Sequence, residues 1–221
     1  MNKEQRRKRR IRSVYNRYVK RMIDMLLSGI ALFFLWPILA VIAIIIKVTD
    51  PGPVLFTQKR VGVKKNGELT YFPIYKFRTM KTSTPKDMPT HLLENPEQWI
   101  TGIGKILRKT SLDELPQIWN IFVGHMSIVG PRPALWNQFD LIEEREKYNA
   151  NDIVPGLTGW AQINGRDELP IDVKASLDGV YVENLSLFFD IKCFLGTITS
   201  VLRRDGVVEG GTGAMEKAEE K

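Results

Sequence analysis

The run from Met22 to Ile46 most constrains what this chain can fold into, because it is apolar apart from Asp24 and a few small or weakly polar residues. As a helix rising about 1.5 Å per residue it measures roughly 37 Å, longer than the roughly 30 Å hydrocarbon core of a bilayer. The run therefore reads as membrane-embedded. It is too long for the apolar region of a cleaved signal peptide, and no small-x-small cleavage site closes it before Lys47. Pro37, after Trp36 and near the middle, removes one backbone hydrogen bond and bends a helix. Arg17, Lys20 and Arg21 precede the run while Lys47, Lys59 and Arg60 follow it, so charge gives no direction of crossing and each end prefers the cytoplasmic side. A bent helix that enters and leaves by one face satisfies both flanks and keeps its backbone bonded on either side of the bend. A single span with a tolerated proline is the competing arrangement.

Charge sharpens the division of the chain. Of its 32 basic residues, ten fall within the first 21 positions beside a single acid, Glu4, and the remainder is nearly balanced. Such a block attracts phosphate, either of nucleic acid or of anionic lipid headgroups. The near-neutral remainder, with no known nucleic-acid fold, weighs against nucleic acid. Cys193 is the only cysteine, so no intrachain disulfide forms, and with His91 and His125 far apart the usual Cys/His zinc spacings are excluded. A length of 221 residues buries one good core.

Asp50-Pro51-Gly52-Pro53 ends the membrane element. Val54 to Gln58 and Tyr71 to Phe77 alternate as short strands around a turn at Asn66-Gly67. On such a strand Lys76 and Arg78 share a face, which is either a solvated edge or half of an anion site. Residues 82 to 98 carry no period and read as a mobile loop, and the Ile-rich spacing of Trp99 to Lys109 predicts a helix. It delivers the chain to Ser111-Leu112-Asp113-Glu114-Leu115-Pro116-Gln117, where two adjacent acids precede a proline and then an apolar helical run. Read alone, Ser111 and Glu114 have the spacing of a capping box and Asp113 suits an N-cap. A helix N-terminus equally suits carboxylates that work beside phosphate or metal. Arg132, between Pro131 and Pro133, is aimed by a stiff loop, as a phosphate grip requires. Leu135 to Tyr148 reads as a peripheral amphipathic helix, Pro155 to Arg166 as a Gly-rich polar loop, and Leu185 to Leu202 as a core or interfacial helix. The tail from Asp205 is Gly- and Glu-rich and reads as disordered.

An apolar anchor, a carboxylate pair, the cations Lys76, Arg78, Arg108 and Arg132 and a Gly-rich loop are the inventory for phosphoryl transfer at a membrane. Neither a P-loop nor a kinase signature is present. Over residues 18 to 206 the chain resembles the bacterial sugar transferases of the monotopic phosphoglycosyl transferase family, closest to the short capsule- or glycan-initiating members. The matching motifs are Lys20-Arg21-x-x-Asp24, Tyr75-Lys76-Phe77-Arg78-Thr79-Met80, Ser111 to Gln117, Gly130-Pro131-Arg132-Pro133 and Pro155-Gly156-Leu157-Thr158-Gly159. The resemblance implies transfer of a phosphosugar from a UDP-sugar to polyprenol (undecaprenyl) phosphate, giving polyprenol diphosphate sugar and UMP. It implies that Asp113 is a nucleophile forming a covalent phosphosugar, assisted by Glu114, with Mg²⁺ near both. It further implies that Lys76, Arg78, Arg108 and Arg132 bind phosphates. Gly156, Thr158, Gln162, Asn164 and Arg166 are expected in the nucleotide-sugar loop. The family also implies a re-entrant helix kinked at Pro37, in the bacterial inner membrane with the active site facing the cytoplasm. Trp36 departs from a serine before the proline in one relative. Likeness to capsule-initiating members leans the sugar towards an N-acetylated one.

The expected fold is α+β. A basic arm (1–21) leads to the re-entrant helix (22–49), then a small, mostly helical catalytic domain with a short β-hairpin or sheet (50–204), and a flexible tail (205–221). The expected partners are UDP-sugar, polyprenol phosphate and an anionic phospholipid membrane, with no nucleic acid. A homodimer is left open. The alternative function is a non-catalytic membrane scaffold in which Asp113 and Glu114 are caps and the arginines bind lipid headgroups.

Overall fold

A computed structural model describes residues 2–84, 96–165 and 169–203. Most of the 82–98 segment, Arg166 and the tail after residue 203 lie outside that set. Helices and two small two-stranded sheets make a mixed α and β architecture.

The basic arm is a folded helix, α1 (Lys3–Ile11), started by Asn2 and Gln5, which cap each other's backbone N–H groups in a capping box. Its inner face is short: Arg7 is buried, and Ile11 packs with Tyr15 against the core. The Arg7 guanidinium grips Glu183 at 2.6 and 3.0 Å, donates to the Lys147 carbonyl and stacks on the Tyr148 ring. Lys3, Arg6, Arg9 and Arg10 are exposed and without an acidic partner among the described residues.

A π-helical turn (Tyr15–Val19) joins α1 to α2 (Lys20–Thr49), the apolar run. The helix Tyr15–Thr49 is long and apolar enough to cross a membrane, and only 11% of its most apolar window is buried in protein, unlike the core helix of a soluble domain. Helical residues continue through Pro37, so the proline removes one rung without ending the element. Both ends of α2 pack on the same globular body. Near the start, Asp24 accepts from the Ile128 N–H at 3.0 Å; near the end, Ile42 and Ile46 are buried with Phe77 and Leu107. Ile30, Phe33, Phe34, Trp36 and Ile38, in between, are exposed.

The hairpin forms as expected but runs further, with β1 (Leu55–Lys65) antiparallel to β2 (Glu68–Phe77). Asn66 and Gly67 both take positive φ, 52° and 86°, which a two-residue turn of this hand requires. Phe72 and Ile74 pack against Ile121 and Met126, fixing the hairpin on α4 (Gln117–Val123). Asn120 of α4, fully buried, adds two hydrogen bonds to the hairpin backbone at Tyr75 and Pro73. Between them α3 (Gly102–Thr110) starts at Thr101, whose side chain accepts from Gly104 N–H.

β3 (Ser127–Val129) pairs in parallel with β4 (Gly156–Thr158). Around them lie α5 (Phe139–Glu146), the short α6 (Trp160–Ile163), α7 (Ile171–Asn184) and α8 (Leu187–Arg203). The main core forms where Val129, Tyr181, Val182, Leu185 and Cys193 meet. α5 is less peripheral than its charge suggests, because Arg145 is buried in an ion pair with Asp178 at 2.7 Å.

Candidate active site

The acidic pair sits where α3 hands over to α4. Ser111 takes a left-handed conformation (φ 56°) that ends α3, Leu112–Glu114 make one 3₁₀ turn, and Pro116 leads into α4. The expected capping box is absent, since the Ser111 side chain caps nothing. The left-handed turn at Ser111 directs the chain out of helix and leaves both acids beside the helix start.

Three cations converge on them. Lys76, near the end of β2, places Nζ 2.6 Å from Glu114 Oε1, and Arg132 Nη2 is 3.5 Å from the same oxygen. Arg108, at the end of α3, donates from Nε to Thr79 Oγ1 at 2.9 Å and exerts its charge on Asp113. The two acids respond in opposite directions. Burial would raise Glu114, but Lys76 and Arg132 outweigh it and hold the carboxyl at about 2. Burial raises Asp113 to about 6, with Glu114 adding to the rise and Lys76 and Arg108 pulling against it. Asp113 has no side-chain hydrogen-bond partner among the described residues. The cluster thus holds a committed carboxylate, an uncommitted one and three positive charges, which is a cradle for a polyanion.

Residues 15–204 match the sequence model of the bacterial sugar transferases. The chain is 36% identical over 189 residues to the uncharacterized sugar transferase EpsL of Bacillus subtilis, covering 86% of this chain and 90% of that protein. The chain belongs to the bacterial sugar transferase family. It is also 38% identical to UDP-glucose:undecaprenyl-phosphate glucose-1-phosphate transferase of Escherichia coli, over 83% of this chain and 40% of that protein. It is 36% identical to UDP-N-acetylgalactosamine-undecaprenyl-phosphate N-acetylgalactosaminephosphotransferase of Aeromonas hydrophila, over 84% of this chain and 44% of that protein. The chain thus spans less than half the length of these two longer relatives.

Within this sugar transferase, the other candidates divide. Arg78 lies one residue beyond β2: it is buried and donates to the Asp50 carbonyl, with the Asp50 carboxylate 3.4 Å away. It pins the breaker after α2 through Nη2, while its Nε and Nη1 are buried without a hydrogen-bond partner. Gly156 and Thr158 are also occupied structurally. Thr158 is buried against Thr197, and Gly156 N–H donates to the Pro131 carbonyl at 2.8 Å. A Cβ on Gly156 would fall 2.1 Å from the Gly130 nitrogen, so glycine here allows two backbones to touch. β4 therefore braces the loop that carries Arg132. Gln162 donates to the Leu157 carbonyl with its Oε1 left unpaired, Asn164 bonds back to Trp160, and Arg166 lies outside the described residues.

Three features escaped sequence reading. Asp190, buried, accepts from Lys20, Tyr15 and Tyr181, each at 2.6 Å. The available signal was an acid inside an apolar run, which has to be paired. Arg21 donates to the Ile121 and Phe122 carbonyls at 2.7 Å, capping the C-terminus of α4 from the membrane helix. Gln117, 2% exposed with an unpaired Nε2, stands four positions after Asp113.

Proposed function

We propose that this protein transfers a phosphosugar from a UDP-sugar to polyprenol (undecaprenyl) phosphate at the cytoplasmic face of the bacterial inner membrane, with Asp113 as nucleophile. The observation that carries this reading is the uncommitted Asp113 carboxylate inside a ring of Lys76, Arg108 and Arg132. The Asp113 carboxylate oxygen attacks the phosphorus bearing the sugar, a P–O bond to the uridine phosphate breaks and UMP leaves. An oxygen of the lipid phosphate then attacks the same phosphorus and Asp113 is released as carboxylate. Glu114, ionised and clamped, holds Lys76 and Arg132 beside the reacting phosphates, where their charge counters the repulsion between carboxylate and diphosphate.

Mg²⁺ belongs to the proposal. Among the described residues no group of three or more His, Cys, Asp and Glu forms a cage. Two adjacent carboxylates, one without a cationic hydrogen-bond partner, nevertheless fit an ion that draws its other ligands from substrate phosphates and water. When bound, the ion supplies positive charge that offsets the diphosphate.

The membrane arrangement has support of its own. Because both ends of α2 rest on one globular body, a full crossing between them would place that body on both sides of the bilayer, whereas a helix that enters and returns at Pro37 does not. The outward cations of α1, directly before the membrane helix, fit the anionic leaflet.

UMP release from a panel of UDP-sugars, with polyprenol phosphate and Mg²⁺, tests the reaction and identifies the sugar. The relatives' printed sugars include both glucose and N-acetylgalactosamine at nearly equal identity, and we carry forward the N-acetylated sugar as the one to try first. Intact mass spectrometry after incubation with UDP-sugar and Mg²⁺ but no lipid phosphate should show one phosphosugar on wild type and none on Asp113→Asn. Turnover by Asp113→Asn would sink the nucleophile assignment.

A further inference from the structure

A cavity of about 160 Å³ opens between the start of α2 and α8, walled by Ile23 and Leu27 from one helix, Ile191 and Phe194 from the other, and Val129 of β3. Leu27, Ile191 and Phe194 are each about half exposed, so the cavity communicates with the apolar surface that α2 turns to the bilayer. Tyr15, Lys20, Asp24 and Asp190 also touch it, but Lys20 and Tyr15 each donate to Asp190 at 2.6 Å and Asp24 accepts from the Ile128 N–H at 3.0 Å. The site therefore suits hydrocarbon and not a headgroup.

We propose that this cavity seats part of the isoprenoid chain of the lipid phosphate acceptor; the proposal rests on the function given above. A dry cavity of about 150 Å³ lined by Leu, Ile and Phe accommodates a benzene ring, so the volume takes roughly one five-carbon isoprene unit. Its position suits this occupant. Val129 lines the cavity, and Arg132, whose guanidinium stands 3.5 Å from Glu114, follows three residues later. Three residues cover at most roughly 10 Å of backbone. A chain seated between α2 and α8 against Val129 thus lies close to the loop that carries Arg132, while a branched, stiff isoprenoid fills the notch between two helices. The cavity gives the enzyme a way to recognise its acceptor by tail as well as by phosphate.

Two measurements on the full-length protein in phosphatidylcholine nanodiscs test this. A polyprenol phosphate carrying a diazirine in its first isoprene units should label the peptides containing Ile23–Leu27 and Leu187–Phe194, and unlabelled polyprenol phosphate should compete. Labelling elsewhere would overturn the proposal. So would labelling of these peptides by a diazirine phospholipid that polyprenol phosphate does not displace, which would assign the cavity to bulk lipid. Separately, Leu27→Trp and Ile191→Trp, which fill the notch at half-exposed positions, should raise KM for polyprenol phosphate about tenfold by excluding a few methylene equivalents. KM for the UDP-sugar should stay the same. An unchanged lipid KM in both variants would refute the site. If wild type releases no UMP from any UDP-sugar, the enzyme reading itself fails, an outcome distinct from either of these.

Discussion

Asp113 and Glu114 are neighbours in sequence with opposite electrostatic fates. Lys76 and Arg132 hold the Glu114 carboxyl at about 2, while burial lifts Asp113 to about 6. Removing Lys76 leaves Glu114 underpaired and the phosphates less screened. Lys76→Met should lower turnover about 10²–10³-fold, the usual cost of losing one preorganised electrostatic partner, measured as initial UMP release. Arg78→Met should lower thermal stability, because Arg78 holds the Asp50 carbonyl, and the KM for UDP-sugar measured alongside tests whether its unpaired Nε and Nη1 also meet phosphate. Asp113 also carries a pH signature. A carboxyl whose folded value is raised favours the folded state fully below its ordinary value, and that contribution is lost as pH rises through about 6. In magnesium-free detergent solution, Asp113→Asn should therefore be the more stable protein above pH 6, by on the order of 1–2 kcal/mol, and the gap should close towards pH 4. Thermal unfolding of both proteins across this range checks the sign.

At the scale of elements, α4 couples chemistry to membrane. Its N-terminal side follows the acidic pair, its middle is bonded to β2 through Asn120, and its C-terminus is capped by Arg21 from α2. Gly124 closes α4 with φ 92°, and a Cβ there would lie 3.0 Å from the Arg21 guanidinium. Gly124→Ala should cost about 1–2 kcal/mol of stability through strained backbone alone, visible as a lower Tm. α1 is a second coupled element, held by the Arg7 pair with Glu183 and by stacking on Tyr148. Arg7→Ala should release α1 and raise its amide hydrogen exchange, while anionic lipid in the nanodisc should protect α1 in wild type more than phosphatidylcholine does.

For the whole molecule, the decisive question is how one body holds both ends of a helix of roughly 45 Å. Cysteines introduced at Ser13 and Lys65 should label from the same side of sealed vesicles. Cys193, fully buried, gives no background. Labelling from opposite sides would sink the re-entrant arrangement. The family's longer members match this chain over less than half their own length, so the activity is best tested on this protein directly.

Local chemistry made much of this legible in advance. The length and apolarity of Met22 to Ile46, the Asn66-Gly67 turn, the proline-braced Arg132 and the adjacent acids are properties of a few consecutive residues, and the structure keeps each of them. Boundaries were harder, and α7 went unread because its apolar residues follow no helical period; the helix is stabilised by packing Tyr181 and Val182 into the core. Tertiary structure alone decided which cations serve the acids. Lys76 and Arg78 look equivalent along the strand, yet the first reaches Glu114 and the second is bound to Asp50, because the end of β2 redirects the next side chains. It likewise paired Lys20 with Asp190, 170 residues away, and turned a Gly-rich loop into a brace for Arg132. Sequence fixes what a residue can do within reach of its neighbours. Burial and long-range pairing, which need the folded chain, determine which residue does it.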